Sequence, residues 1–140
     1  MASKLQTCVT ALLAHYETEL TTVETFIQSS KEEDLKKYTQ DQLPLLSVRL
    51  YNTSYEDQYG QEVDTDSPVV ISLYYIDWGE SETVLQAWIE TVLQNTPTEL
   101  SNHVISFRNN TQVEALDLEY PLRGFRFTPF IRGSASRSDI

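Results

Sequence analysis

Between Pro68 and Ile76 the chain reads PVVISLYYI, a run rich in β-branched and aromatic residues. It is short enough, and suited enough to a pleated surface, to predict a central strand about which the rest of the fold must be arranged. Upstream, after Leu43-Pro44, Leu46, Val48 and Leu50 alternate with Ser47, Arg49 and Tyr51. Period two is what a half-buried strand requires, and Pro44 suits its start. This strand is expected to pair antiparallel with the central one. The stretch joining them, Asn52 to Asp66, carries Glu56, Asp57, Glu62, Asp64 and Asp66, no basic residue, and Gly60 near its middle. It reads as a long, exposed hairpin or loop.

Two segments have helical periodicity instead. Leu5, Val9, Leu12, Leu13, Tyr16, Leu20, Val23 and Phe26 recur every three or four residues and predict a helix from about Ser3 to Ile27. Its other side carries Glu17, Glu19, Glu24 and threonines. A polar connector follows from Ser29 to Asp41. Downstream, Val84, Leu85, Trp88, Ile89, Val92 and Leu93 mark a second helix, with Ser81 ahead of it and Asn95 and Pro97 after it. Val104 to Phe107, Val113 to Tyr120 and Phe125 to Ile131 are read as three further strands, with Asn109-Asn110 as a turn. The fold class is therefore α+β: two amphipathic helices packed on one face of a mostly antiparallel sheet, in the order α-β-β-α-β-β-β. At 140 residues the chain fits one domain, assigned to 1–132, with a small, polar C-terminal tail over 133–140.

Ten Lys and Arg against 21 Asp and Glu give a net charge of −11. Such a chain repels polyanions, which argues against general binding to nucleic acid or anionic membranes. The single cysteine, Cys8, cannot form an internal bridge, and no basic segment followed by an apolar one opens the chain, so an intracellular protein is expected. The N-x-S/T matches at Asn52 and Asn109 are then fortuitous. No apolar run approaches the roughly 18 residues of a membrane span.

Catalytic and metal-binding patterns are missing. Cys8 and His15 share a helix face, but seven residues at the helical rise put them about 10 Å apart, too far for a nucleophile and its base. A structural thiol and a helix-surface histidine are the simpler reading. His103 has no second histidine or cysteine near it in sequence, so the usual four zinc ligands are not assembled. The acidic hairpin fails as a calcium loop: one begun at Asp64 puts Pro68 at a ligand position and Val69 where the glycine turn is needed. With glycines only at 60, 79, 124 and 133, no phosphate-cradling loop can be built. Glu114, Asp117 and Glu119 read as an exposed strand face. No enzyme and no cofactor are expected.

Two features point to protein contacts. Tyr55 and Tyr59 lie in a polar loop that has no evident need of them for a core, whereas Trp88 and one of Tyr74 and Tyr75 read as core. Charge is also divided unevenly. Residues 1–120 carry 6 bases and 20 acids, or −14, while residues 121–140 carry Arg123, Arg126, Arg132 and Arg137 against Asp139, or +3. Arginine interleaved with Phe125, Phe127 and Phe130 is either a polar strand face with a basic tail or a contact surface. The candidate interface comprises Tyr55, Asp57, Tyr59, Glu62, Asp64, Arg123, Arg126 and Arg132.

Taken together, the amphipathic first helix, the polar spacer, Leu43-Pro44-Leu45-Leu46-Ser47-Val48, the acidic hairpin returning through Val69-Val70-Ile71-Ser72-Leu73, the helix over Val84 to Leu93 and the closing Phe125-Arg126-Phe127 resemble the tail terminator, or tail completion, proteins of long-tailed bacteriophages. The resemblance spans nearly the whole chain and lies in architecture and pattern. It implies a structural virion protein assembled in the host cytoplasm, forming a ring, typically a hexamer, that caps the tail tube and joins it to the head-tail connector. Its implied partners are further copies of itself, the tail tube protein and the connector protein, with DNA passing through the lumen. Another neck or head completion protein would share these traits, and an acidic inhibitor mimicking DNA is a reading from a different class.

Overall fold

The computed structural model describes residues 4–29, 38–50, 54–57, 62–77, 79, 82–107 and 112–136. Two helices and nine strands are found among them, so the α+β class stands. The element order and the stacking of helices differ from expectation.

Helix α1 covers Lys4–Glu19. Leu5, Cys8, Val9, Leu12 and Tyr16, spaced by three or four, are all buried. The helix stops eight residues short of the expected Ile27, and the chain turns with Val23 N–H on the Leu20 carbonyl. Thr25–Ser29 is instead strand β1, parallel to β2 (Leu45–Leu50) with Thr25 opposite Leu45. The reason lies in Thr21, Thr22, Val23, Thr25 and Ile27, β-branched residues that lose freedom in a helix and fit a strand. Leu20 and Val23 still reach the core, which is why the helical period misleads beyond Glu19.

Strand β3 is Ser54–Asp57, and the central strand, β4, runs from Glu62 to Ile76. The expected hairpin is therefore built, with its return limb forming the first half of the central strand. One half of β4 pairs with β2 and β8 (Leu122–Phe127), the other with β3 and β9 (Phe130–Ser136). Two sheets share one strand. Pro68 has no N–H to give, and it falls where one edge of β4 passes from β3, ending opposite Asp66, to β2, beginning opposite Val69. On the other edge β8 and β9 follow β4 without a change of register, interrupted only at Thr128 and Pro129, whose carbonyl accepts from Val69 N–H at 2.9 Å.

Helix α2 (Glu82–Gln94) follows β4 and buries Leu85 and Val92. A two-residue strand β5 (Glu99–Leu100) and β6 (His103–Ser106) extend the second sheet beyond β9, and β7 (Glu114–Ala115) lies beside β8 in the first. The strand expected over Val113 to Tyr120 shrinks to those two residues. Beyond them Leu116 and Leu118 are half-buried, and Leu118 lies over Gly124. Phe125 to Ile131 is not one strand but the junction of β8 and β9. Gly133 to Ser136, expected in a tail, belong to β9 and pair with Thr65 to Glu62.

The helices do not stack together on one face. Helix α1 meets β1, β2 and β5, and α2 meets β8. Because the strand order runs β1-β2-β4-β9-β6-β5, α1 touches both ends of the path, which requires the sheet to curl. Thr10 Oγ1 donates to Gln28 Oε1 on β1 at 2.9 Å, and Cys8 Sγ contacts the Leu100 carbonyl on β5 at 3.4 Å. The core enclosed this way joins α1 to Leu46, Val48, Val69, Ile71, Leu73, Tyr75, Phe125 and Phe127.

Candidate functional site

Residues of the acidic hairpin are placed by register. Tyr55 stands opposite Thr65 and Asp57 opposite Val63, while Glu56 stands opposite Asp64 and Ser54 opposite Asp66. On its other edge β4 sets Glu62 opposite Ser136 and Asp64 opposite Ser134. On the far edge of the return limb β9 supplies a second ladder. Tyr59, which sequence reasoning also placed in the interface, lies outside the described residues.

The three arginines of the closing strands do not form one patch. Alternation along β8 puts Arg123 on the face of Phe125 and Phe127, toward the core, and Arg126 on the opposite face with Gly124. Arg123 Nη2 donates to Glu82 Oε1 of α2 at 2.8 Å, and that carboxylate holds the guanidinium above its ordinary pKa. Arg123 also stands opposite Tyr75, whose hydroxyl is buried with no hydrogen-bond partner; burial raises its pKa, against the opposing pull of Arg123. Arg126 Nε donates to Glu114 Oε2 of β7 at 2.8 Å. Part of the charge asymmetry is thus neutralised within the chain. Both pairs have an exposed partner, so each contributes roughly 0–1 kcal/mol.

Arg132, by contrast, is exposed on β9, opposite Asp66 on one side and Val104 on the other. Alternation puts it on the same outward face as Arg126. Arg49 of β2, opposite Val70, belongs to that face too, although sequence reasoning left it out. Its signal was present, since the outward parity of Ser47, Arg49 and Tyr51 is legible in the alternation. Between these arginines the same face carries Pro68, Val70 and Phe130, with Phe130 opposite both Pro68 and Ser106. Val104 is 47% exposed. Val70 is buried and Pro68 and Phe130 are half-buried, so this face is covered around Val70 and open at Val104 and Arg132, with Asp66 opposite Arg132.

The possible nucleophile is committed elsewhere. Cys8 is fully buried, its pKa pushed up to about 11 by desolvation, and its sulfur is on the Leu100 carbonyl. His15 Nε2 donates to the Asn95 carbonyl at 3.0 Å. Tyr16 donates its hydroxyl to Thr96 Oγ1 at 2.6 Å, because the Thr96 hydroxyl proton goes to the Val92 carbonyl. These bonds fasten α1 to the segment leaving α2. Buried His103 gives its Nδ1 proton to the Ser101 carbonyl at 2.8 Å. Among the described residues no group of three or more His, Cys, Asp or Glu converges as metal ligands, and no helix is long and apolar enough to cross a membrane.

Neither the models of known protein families nor the characterised proteins compared with this sequence match it.

Proposed function

We propose that this chain is a structural virion protein of a long-tailed bacteriophage, a tail terminator that caps the tail tube as a ring, typically of six subunits, and joins it to the head-tail connector. The reading rests on the pattern resemblance, which extends over nearly the whole chain. The observation that carries it is the pair of unlike surfaces on one subunit: a hairpin whose limbs hold Glu56, Asp57, Glu62, Asp64 and Asp66, and a sheet face bearing arginines. Subunits that meet through unlike surfaces close into rings when the rotation permits. The ring is assembled in the host cytoplasm and carried in the virion, with acid-bearing hairpins suited to a lumen that lets DNA pass without adhering.

The test is mass in solution, followed by binding to isolated tail tubes. A species near six times the 16.1 kDa subunit that attaches to headless tubes is expected. A ring that attaches to tail-less heads and ignores tubes assigns the chain to head completion instead. A monomer at every concentration, without affinity for tubes, removes the proposal.

A further inference from the structure

We infer that strand β1 pairs with β1 of a second copy, antiparallel about a twofold axis through Ile27. Among the described residues β1 pairs with β2 alone and ends the strand path. Thr25 N–H donates to the Pro44 carbonyl at 3.3 Å, so in this parallel ladder Thr25, Ile27 and Ser29 turn their backbone groups to β2. Alternation then turns the N–H and C=O of Phe26 and Gln28 to the outer edge. Gln28 is exposed there, and Thr10 of α1 donates to its side-chain oxygen rather than to its backbone. Such an edge is a template for one more strand.

Charge and register select the occupant. Among the described residues β1, β3, β5 and β7 each have a single neighbouring strand. Strand β3 carries Glu56 and Asp57, β5 Glu99 and β7 Glu114, whereas Thr25–Ser29 holds no acid, base, proline or glycine. Two copies of a chain of net charge −11 therefore meet at β1 without setting acid opposite acid. The strand also complements itself. With Ile27 opposite the partner's Ile27, Phe26 stands opposite the partner's Gln28, and because both turn their backbone groups outward the pair exchanges both hydrogen bonds of a narrow antiparallel site. Phe26 packs against the core and Gln28 reaches α1, so Ile27 lies on the other face, where the two isoleucines form a cross-strand apolar pair. Five residues a side make a contact smaller than the roughly 1,200 Å² of a stable interface, so the pair forms at high concentration and dissociates on dilution. It is separate from the ring proposed above, whose contacts join unlike surfaces; a twofold contact joins one ring, or one free subunit, to a second.

Substitutions at two positions of the full chain test this, with sedimentation over a range of concentrations and melting curves as a check on folding. The parent's species, free subunit or ring, is expected to double in mass as concentration rises. Ile27→Lys and Ile27→Glu each set like charges across the axis and are expected to raise the concentration needed for doubling about tenfold or more, while a mixture of the two recovers it by pairing unlike charges. Gln28→Pro removes an outward N–H and leaves the ladder to β2 in place, so it is expected to weaken doubling as well. Gln28→Ala, which loses the Thr10 bond but keeps that N–H, is expected to double as the parent does. A parent that never doubles overturns the inference, as do Lys and Glu variants that double alone, or that melt as the parent and fail to pair when mixed. If Gln28→Pro does not fold, the two Ile27 variants decide. A ring that never doubles leaves the ring reading standing, and a doubling subunit that never closes a ring does the reverse.

Discussion

Gly124 shows how closely the sheet is packed at a single residue. A Cβ there would lie 2.7 Å from the Leu73 carbonyl oxygen, 3.2 Å from Tyr74 Cδ1 and 3.3 Å from Leu118 Cδ1. The oxygen belongs to the central strand and cannot move without its ladder. Gly124→Val is expected to cost about 1–3 kcal/mol through overpacking, read as a lower melting temperature, and an unchanged melt would remove Leu118 from its place over the strand. Cys8 carries a pH effect. Its folded-state pKa, about 11, stands above the ordinary 9.0, so the folded chain holds the proton more tightly than the unfolded one. The thiol's contribution is complete below about pH 9 and is lost as pH rises toward 11, up to about 3 kcal/mol. Denaturant unfolding of parent and Cys8→Ala should therefore converge through that window. Tyr16, whose burial also raises its pKa, keeps a slope in both chains, so the difference between the two curves is what reports Cys8.

At the scale of elements, α2 is the simplest case. Five of its six periodic apolar positions reach the core in graded fashion, Leu85 and Val92 buried and Trp88, Ile89 and Leu93 packed partly against it, while Val84 is exposed. Trp88 lies with its ring centroid 6.2 Å from that of Tyr75. Trp88→Ala is accordingly expected to cost about 2–3 kcal/mol, below the 3–5 typical of a fully buried aromatic, and to lower the melting temperature by several degrees. A shift of a degree or less would detach Trp88 from the core. Elements that announce themselves in the sequence are those in which one requirement dominates: the α1 stripe as far as Tyr16, the α2 face, and Val69 to Ile76. Leu20 and Val23 mislead because a turn can deliver the same residues to the same core as another helical turn would. Gly133 to Ser136 mislead because small polar residues pair through their backbone, and the strand opposite cannot be read from them.

For the whole molecule, the candidate site was legible in charge and not in position. The acids of the hairpin and the arginines of the last strands stand out in composition, yet the inward turn of Arg123 and the outward turn of Arg49 depend on strand parity and on which strands meet. Neither follows from local sequence, since pairing partners lie far apart along the chain. The helix that touches both ends of the strand path is equally nonlocal: nothing near Cys8 names Leu100 as its neighbour. The shared strand also has a mechanical consequence. Glu62 to Ile76 is a single covalent segment that begins in the hairpin and ends beside α2, flanked along its length by β8 and β9. A pull on the hairpin along that axis loads the ladder bonds in shear, all at once, rather than opening them one after another. Tension applied at the hairpin is thus borne by the core itself, and the hairpin behaves as the end of a tie rod anchored in both sheets.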